Sequence, residues 1–303
     1  MRLSLGINNA FAVKRWPRAA DWISIVREEL DLRVVQHSFD LVDLSLGSEE
    51  LKSEAESLAI TCRENDVFLH STFTGLVAYS SNMLLHPDQL YREQAIEWWK
   101  TALQYTAHTG AMAAGGHIGA YSVPDWKDPI RRAHLDDSLR TSLDLIRSYA
   151  YDLGIPDFVI ENLASPREPS TTDVIESLLD DSREGRSSVK LCLDIGHQCV
   201  PGTRLPETDP YYWLERFGQN ASMIHIQQSD ENGDRHWPFT EEYNERGRIQ
   251  ATSVLKSLEQ GGATDVTLVL ECLPSFEQDD DHVLRDLIVS VDYWKTAIAE
   301  YER

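Results

Sequence analysis

Short apolar runs alternate with longer amphipathic stretches along the whole chain. The runs are LSLGIN (3–8), RVVQHSF (33–39), VFLHSTF (67–73), GAMAAGGHIGA (110–120), FVIEN (158–162), VKLCLD (189–194), SMIHIQQ (222–228) and TLVLECL (267–273). They are close to continuously apolar, as strands are when helices cover both faces of a parallel sheet. Their centres lie roughly 30–45 residues apart, room for a helix and two loops each. Between them, residues 19–30, 49–65, 90–110 and 281–303 repeat apolar positions at spacings of three and four and predict helices. A further helix is predicted over 171–185, opening on threonine and closing at Gly185.

Eight βα units in succession predict an α/β fold, a single (β/α)8 TIM barrel. The competing architecture is an open doubly wound sheet. That sheet usually has fewer strands, and no glycine-rich phosphate loop follows the first run here. No linker, low-complexity segment or short repeat breaks the chain, so residues 1–303 are expected to form one domain. The segments 73–89, 118–133, 198–210 and 229–247 follow strands and are expected as loops at the barrel's C-terminal face. Barrel enzymes build their sites there.

Composition narrows the partners. The chain is 42% hydrophobic and 26% charged, with a net charge of −22. That charge repels nucleic acid and anionic lipid. No apolar stretch is long enough for a membrane span, and the first residues lack the basic-then-apolar layout of a secretion signal. Cys62, Cys192, Cys199 and Cys272 do not make a disulfide framework, so a reduced, cytoplasmic setting is expected.

The chemistry is written where the runs end. Glu161 closes the fifth, Asp194 closes the sixth with His197 just beyond, His225 lies in the seventh, and Glu271 closes the eighth. Barrel geometry aims all of these at one central volume. Carboxylates converging in an apolar mouth repel and desolvate one another unless a cation joins them. Oxygen-rich ligation with one imidazole suits Mn²⁺, Mg²⁺ or Co²⁺, while added histidines favour Zn²⁺. A lone strand-end carboxylate is more often a helix cap or ion-pair partner. Successive strands ending this way point to a metal site.

Other polar residues end or follow the strands: Asn8, Asn9, Gln36, His37, His70 and His117, then Gln227, Asp230, Asp234, Arg235, His236 and Trp237. His70 and His117 are either structural or in contact with substrate. Arg235 can clamp a phosphate or carboxylate, or form a loop ion pair. Trp237 can shield the site or stack on a sugar, or simply pack beneath its loop.

Together ENL (161–163), LDIGH (193–197), IHIQQSD (224–230) and LECLP (270–274) resemble the xylose isomerase-like TIM barrels across essentially the whole chain. That superfamily includes sugar and sugar-phosphate isomerases, ketose 3-epimerases and apurinic endonucleases. The epimerase resemblance implies Glu161, Asp194, His225 and Glu271 as ligands of Mn²⁺ or a similar ion. It implies His197 as a substrate-binding histidine and the two glutamates as an acid/base pair on opposite faces of an enediolate. His70, His117, Gln227, Asp234, Arg235, His236 and Trp237 are the other candidate substrate contacts. The expected partner is a small sugar or sugar phosphate, and the expected assembly a homo-oligomer, dimer or tetramer, as is usual in such families. Two other chemistries share this ligand set. Metal-dependent lyases, decarboxylases and C-glycoside-cleaving enzymes acting on 3-keto sugars use the same enolate stabilisation. Endonucleases add further histidines for three zinc ions, for which His70, His117, His197, Asp234 and His236 are candidates, but the net charge opposes a phosphodiester partner.

Overall fold

The computed structural model describes residues 1–179 and 184–303. Among the described residues there are ten strands, numbered in chain order. They are β1 (Arg2–Asn8), β2 (Val34–Ser38), β3 (Phe68–Phe73), β4 (Ala113–Gly116), β5 (Asp157–Glu161), β6 (Ser188–Asp194), β7 (Ala221–Ile226), β8 (Gln228–Asp230), β9 (Gly233–Trp237) and β10 (Asp265–Leu270). Eight of them run parallel and close into a barrel in the order β1 to β7 and then β10, which returns to β1. Each predicted apolar run overlaps one of the barrel strands, with strand starts differing by up to three residues. The fold is a TIM barrel.

The helices are α1 (Ala19–Ser24), α2 (Ser48–Glu64), α3 (Gln89–Thr109), α4 (Val123–Lys127), α5 (Pro129–Asp152), α6 (Thr172–Leu179), α7 (Pro210–Phe217), α8 (Glu241–Arg246), α9 (Ala251–Gln260) and α10 (Asp280–Tyr301). The predicted helix 19–30 is α1 continued by a π-helical turn, Ile25–Glu29. The predicted helix 171–185 is realised as α6, and its positions 180–183 lie outside the described residues.

Two segments expected as loops carry structure instead. The span 118–133 contains α4 and the start of α5. The latter opens where the Asp128 side chain accepts from the amides of Ile130 and Arg131 and Pro129 fills the first helical position. The span 229–247 contains most of an antiparallel hairpin, β8–β9, and then α8. No helix is long and apolar enough to cross a membrane among the described residues.

The apolar interior falls into two parts. One lies between barrel and helices and includes the fully buried Trp22, Trp99, Trp213 and Trp294. The other fills the barrel itself with Phe73, Ala113, Val159, Cys192, Met223 and Val269. β4 reads weakly as a strand because it is alanine and glycine throughout. Its neighbours explain the glycine: a Cβ on Gly115 would sit 1.9 Å from the carbonyl oxygen of Val159 on β5. The two nearest atoms are both Val159 backbone, which cannot swing aside as a flexible side chain can. Gly115→Ala should therefore destabilise the protein by about 3 kcal/mol, the upper range for overpacking. Chemical denaturation measures this, and a midpoint equal to wild type would refute the close approach.

Candidate active site

The barrel's inner apolar layer includes Val159, Cys192, Met223 and Val269. Side chains alternate along a strand, so the next inward position is two residues further on. Those positions are Glu161, Asp194, His225 and Glu271. An apolar floor thus carries a polar layer at the C-terminal ends of four strands that are neighbours in the barrel. Fractional exposures are 1%, 0%, 0% and 8% in that order. One ligand atom from each falls within 4.8 Å of the others.

The tautomer of His225 is set from below. Gln36 Oε1 accepts from Asn8 Nδ2 at 2.8 Å, and it lies 2.7 Å from His225 Nε2. Gln36 Nε2 is directed at Met223 Sδ and Ser71 Oγ. An acceptor oxygen here requires the proton on Nε2, which leaves the Nδ1 lone pair facing 3.0 Å to Glu161 Oε1 and 3.0 Å to Glu271 Oε2. A lone pair opposed to carboxylates is repulsive unless a cation or a proton stands between them. Without a metal, burial opposes charge on this imidazole, but Cys192, Glu271 and Glu161 outweigh burial and hold its pKa well above the usual value. Burial raises the Asp194 carboxyl to about 6. Glu271 is pulled the other way, to about 2, because His225 and its neighbours overcome the same burial. The donor set, three carboxylates and one neutral imidazole with its far nitrogen anchored, fits a hard divalent cation.

A second group shares Asp194. His197 Nε2 lies 3.6 Å from Asp194 Oδ2 and 3.3 Å from Asp234 Oδ2, and His236 Nε2 lies 3.2 Å from the same Asp234 oxygen. Gln227 Nε2 bridges Asp194 and Asp234. Asn162 ties this corner together. It bonds the Asp194 backbone in both directions, and its carbonyl oxygen lies 2.7 Å from His197 Nδ1. Burial resists charge on His236, but Asp234 outweighs it and raises its pKa to about 9. His236 also has φ of 49°, a conformation that non-glycine residues rarely hold, so the hairpin spends backbone strain on aiming this ring.

Above both groups opens a cavity of about 290 Å³, walled by Asn8, Thr74, Tyr79, Glu168, His197, Asp234, His236 and Glu271 among others. A larger, open groove of about 680 Å³ runs beside Trp22, Glu54 and Leu58, remote from the carboxylates.

Residues 26–286 match the family described as xylose isomerase-like TIM barrel. The chain belongs to that family. It is 26% identical over 302 residues to D-erythrulose 1-phosphate 3-epimerase of Brucella abortus, covering 97% of this chain and 96% of that one. A crystal structure from Rhodospirillum rubrum, provisionally named a xylose isomerase, matches with a TM-score of 0.89 at 31% identity, over 97% of this chain and 99% of the other. D-psicose 3-epimerase of Clostridium cellulolyticum, solved with D-tagatose, shares the fold at a TM-score of 0.68 and 15% identity, over 97% and 99% of the two chains.

Within this xylose isomerase-like barrel, the predicted residues divide. Glu161, Asp194, His197, His225, Gln227, Asp234, His236 and Glu271 come together. His70 does not: Ser71 and Phe73 face the barrel interior, so His70 points outward, its ring edge-on to Phe68. His117 is buried behind the cavity wall, its Nε2 3.1 Å from the Ser81 carbonyl oxygen and its ring against Tyr79. Arg235 is engaged by both carboxylate oxygens of Asp230 at 3.0 and 3.2 Å and lines a different, smaller cavity. Of the two roles open to it, the loop ion pair is the one observed. Trp237 stacks on Tyr243 with Arg246 above it, packing beneath its loop. Tyr79 and Glu168 are not singled out by the sequence; each acquires a place only through tertiary contact and carries no local motif. Asn162 stands inside the ENL segment, but its tie to Asp194 and His197 emerges only in the fold.

Proposed function

We propose that this chain is a divalent-metal-dependent epimerase or isomerase of a ketose, keto-sugar or sugar phosphate. The reaction runs through an enediolate, with Glu161 and Glu271 as its acid/base pair. The observation that carries the reading is the convergence of His225 Nδ1, at 3.0 Å, on Glu161 Oε1 and Glu271 Oε2, with Asp194 alongside, at the floor of a small polar cavity.

A cation held by Glu161, Asp194, His225 and Glu271, Mn²⁺ before Mg²⁺, Co²⁺ or Zn²⁺ on an oxygen-rich set, would polarise the ketone and stabilise negative charge on its oxygen. Asn8 donates to Glu271 Oε1 at 2.8 Å and fixes that carboxylate at the cavity wall. Glu271 is ionised at neutral pH and is the base on its side. His197 and His236, each paired with Asp234, form the polar wall of the cavity against which the substrate hydroxyls would lie. Gln227 Nε2 donates to both Asp194 and Asp234 and links the two carboxylates.

The relative from Brucella is named for a ketose phosphate, and this chain's substrate is of that class or its unphosphorylated counterpart. The described residues lining the cavity include no lysine or arginine, so both arms need assay. The net charge of −22 and the outward His70 weigh against the zinc phosphodiesterase reading.

The test is solvent deuterium incorporation into D-erythrulose 1-phosphate, D-psicose, D-tagatose and D-fructose in the presence of Mn²⁺. Deuterium at one carbon next to the ketone, with its epimer or aldose accumulating, is the expected result. A shortened or decarboxylated product would transfer the site to the lyase class, and an inert panel would remove the ketose reading.

A further inference from the structure

The two glutamates are not equivalent towards the cavity. Glu271 forms part of its wall, whereas Glu161 does not, and its side chain is 1% exposed against 10% for Glu271. Tyr79 occupies the wall on the Glu161 side. Its hydroxyl donates to Glu161 Oε2, while Glu161 Oε1 is the oxygen turned to His225. A substrate in the cavity therefore meets a carboxylate on one face and a phenol on the other.

The phenol is held in place. Thr74 hydrogen-bonds the Tyr79 hydroxyl and accepts the His117 amide at 2.8 Å. The His117 ring packs on Tyr79 at 5.0 Å between centroids. The amides of Leu76 and Val77 are bound by the Asp40 carboxylate, which pins the same loop from its other side. A loop fixed at both ends is a precise carrier for a reacting group.

Resting on the epimerase reading above, we infer that Tyr79 is a further catalytic residue, carrying the proton between Glu161 and the substrate carbon. In one direction the Glu271 carboxylate takes the proton from carbon, and the C–H electron pair enters the enediolate. The Tyr79 O–H bond then breaks to protonate the opposite face of that carbon, and the phenol oxygen recovers a proton from the Glu161 carboxyl. The outcome is an inverted carbon, a neutral Glu271, an ionised Glu161 and an unchanged tyrosine. The reverse reaction runs the same transfers backwards.

Tyr79→Phe in the full-length, Mn²⁺-loaded protein separates this role from a structural one, with the ketoses named above as probes. Inversion should fall about a hundredfold or more, within the range of a lost general acid. KM should change less than about threefold. Deuterium should still wash into the epimer whose C–H faces Glu271, without inversion, because that carboxylate exchanges with solvent while the enediolate persists. Tyr79→His, which returns a proton-bearing group to the position, should recover part of the inversion. Exchange and inversion falling in parallel, or inversion surviving in Tyr79→Phe, would overturn the inference and leave the epimerase reading standing. Native protein inert on every probe would overturn both.

Discussion

Glu161→Gln and Glu271→Gln should each lower epimer or isomer formation by about a thousandfold, the range for removing a positioned acid or base. The substitution preserves shape and leaves an oxygen for a metal, but it removes the site that accepts a proton. Glu271 is the cleaner case. Its pKa of about 2 keeps it ionised throughout the assay range, Asn8 fixes one oxygen, and the cavity gives it access to substrate. Glutamine there faces the Asn8 amide with a group that cannot take a proton from carbon. Glu161 lies one step back, beneath Tyr79, and its loss removes the other end of the transfer. Rates are read by NMR in D₂O with metal content measured alongside. Either variant turning over within about tenfold of wild type would exclude that glutamate from the acid/base pair.

The second large effect is on stability. His225→Ala removes the nitrogen shared by the carboxylates and leaves Glu161, Asp194 and Glu271 buried together with no imidazole among them. Stripping one partner from a buried charge cluster costs about 3–5 kcal/mol. In a chain of this size that lowers Tm on the order of 10 °C. Chelation of the wild type should act in the same sense, with a pH dependence whose sign is fixed. In the metal-free protein His225, His197 and His236 have raised pKa values, so their contribution is full below about 6.5 and is lost as pH rises through the folded values. Asp194, raised to about 6, loses stability over the lower window from about 4 to 6. Metal binding needs Nδ1 of His225 free of its proton and strengthens with pH. The Tm difference between metal-loaded and metal-free protein should therefore widen from pH 6 to pH 9. A constant or shrinking difference would contradict the ligand role of His225.

Much of this was legible in the chain because barrel strands are apolar on both faces and break that pattern only where they end at the site. Glu161, Asp194, His225 and Glu271 stand out against Val159, Cys192, Met223 and Val269 two positions earlier. The same alternation separates His70 from Ser71, and applied strand by strand it excludes His70 from the interior. The β8–β9 hairpin is polar and short, so hydrophobic periodicity misses it. Its turn is Glu231-Asn232, closed by the Asp230 side chain accepting from the Asn232 amide at 2.9 Å, a local polar signal that apolar spacing does not weigh. Arg235 and Trp237 read as ligand contacts in one dimension because their partners, Asp230 and Tyr243, become neighbours only when the hairpin folds. Tyr79 left no trace in sequence: a tyrosine in a loop acquires meaning from the carboxylate it reaches.

The chemistry proposed here depends on a single ion at the floor of the barrel. Elemental analysis of the native chain after dialysis, beside His225→Ala, addresses that directly. About one divalent ion per native chain and almost none in the variant is the expected result, as for a site closed by four protein ligands. A native chain without bound metal that remains active after chelation, or a variant that keeps its ion, would contradict it.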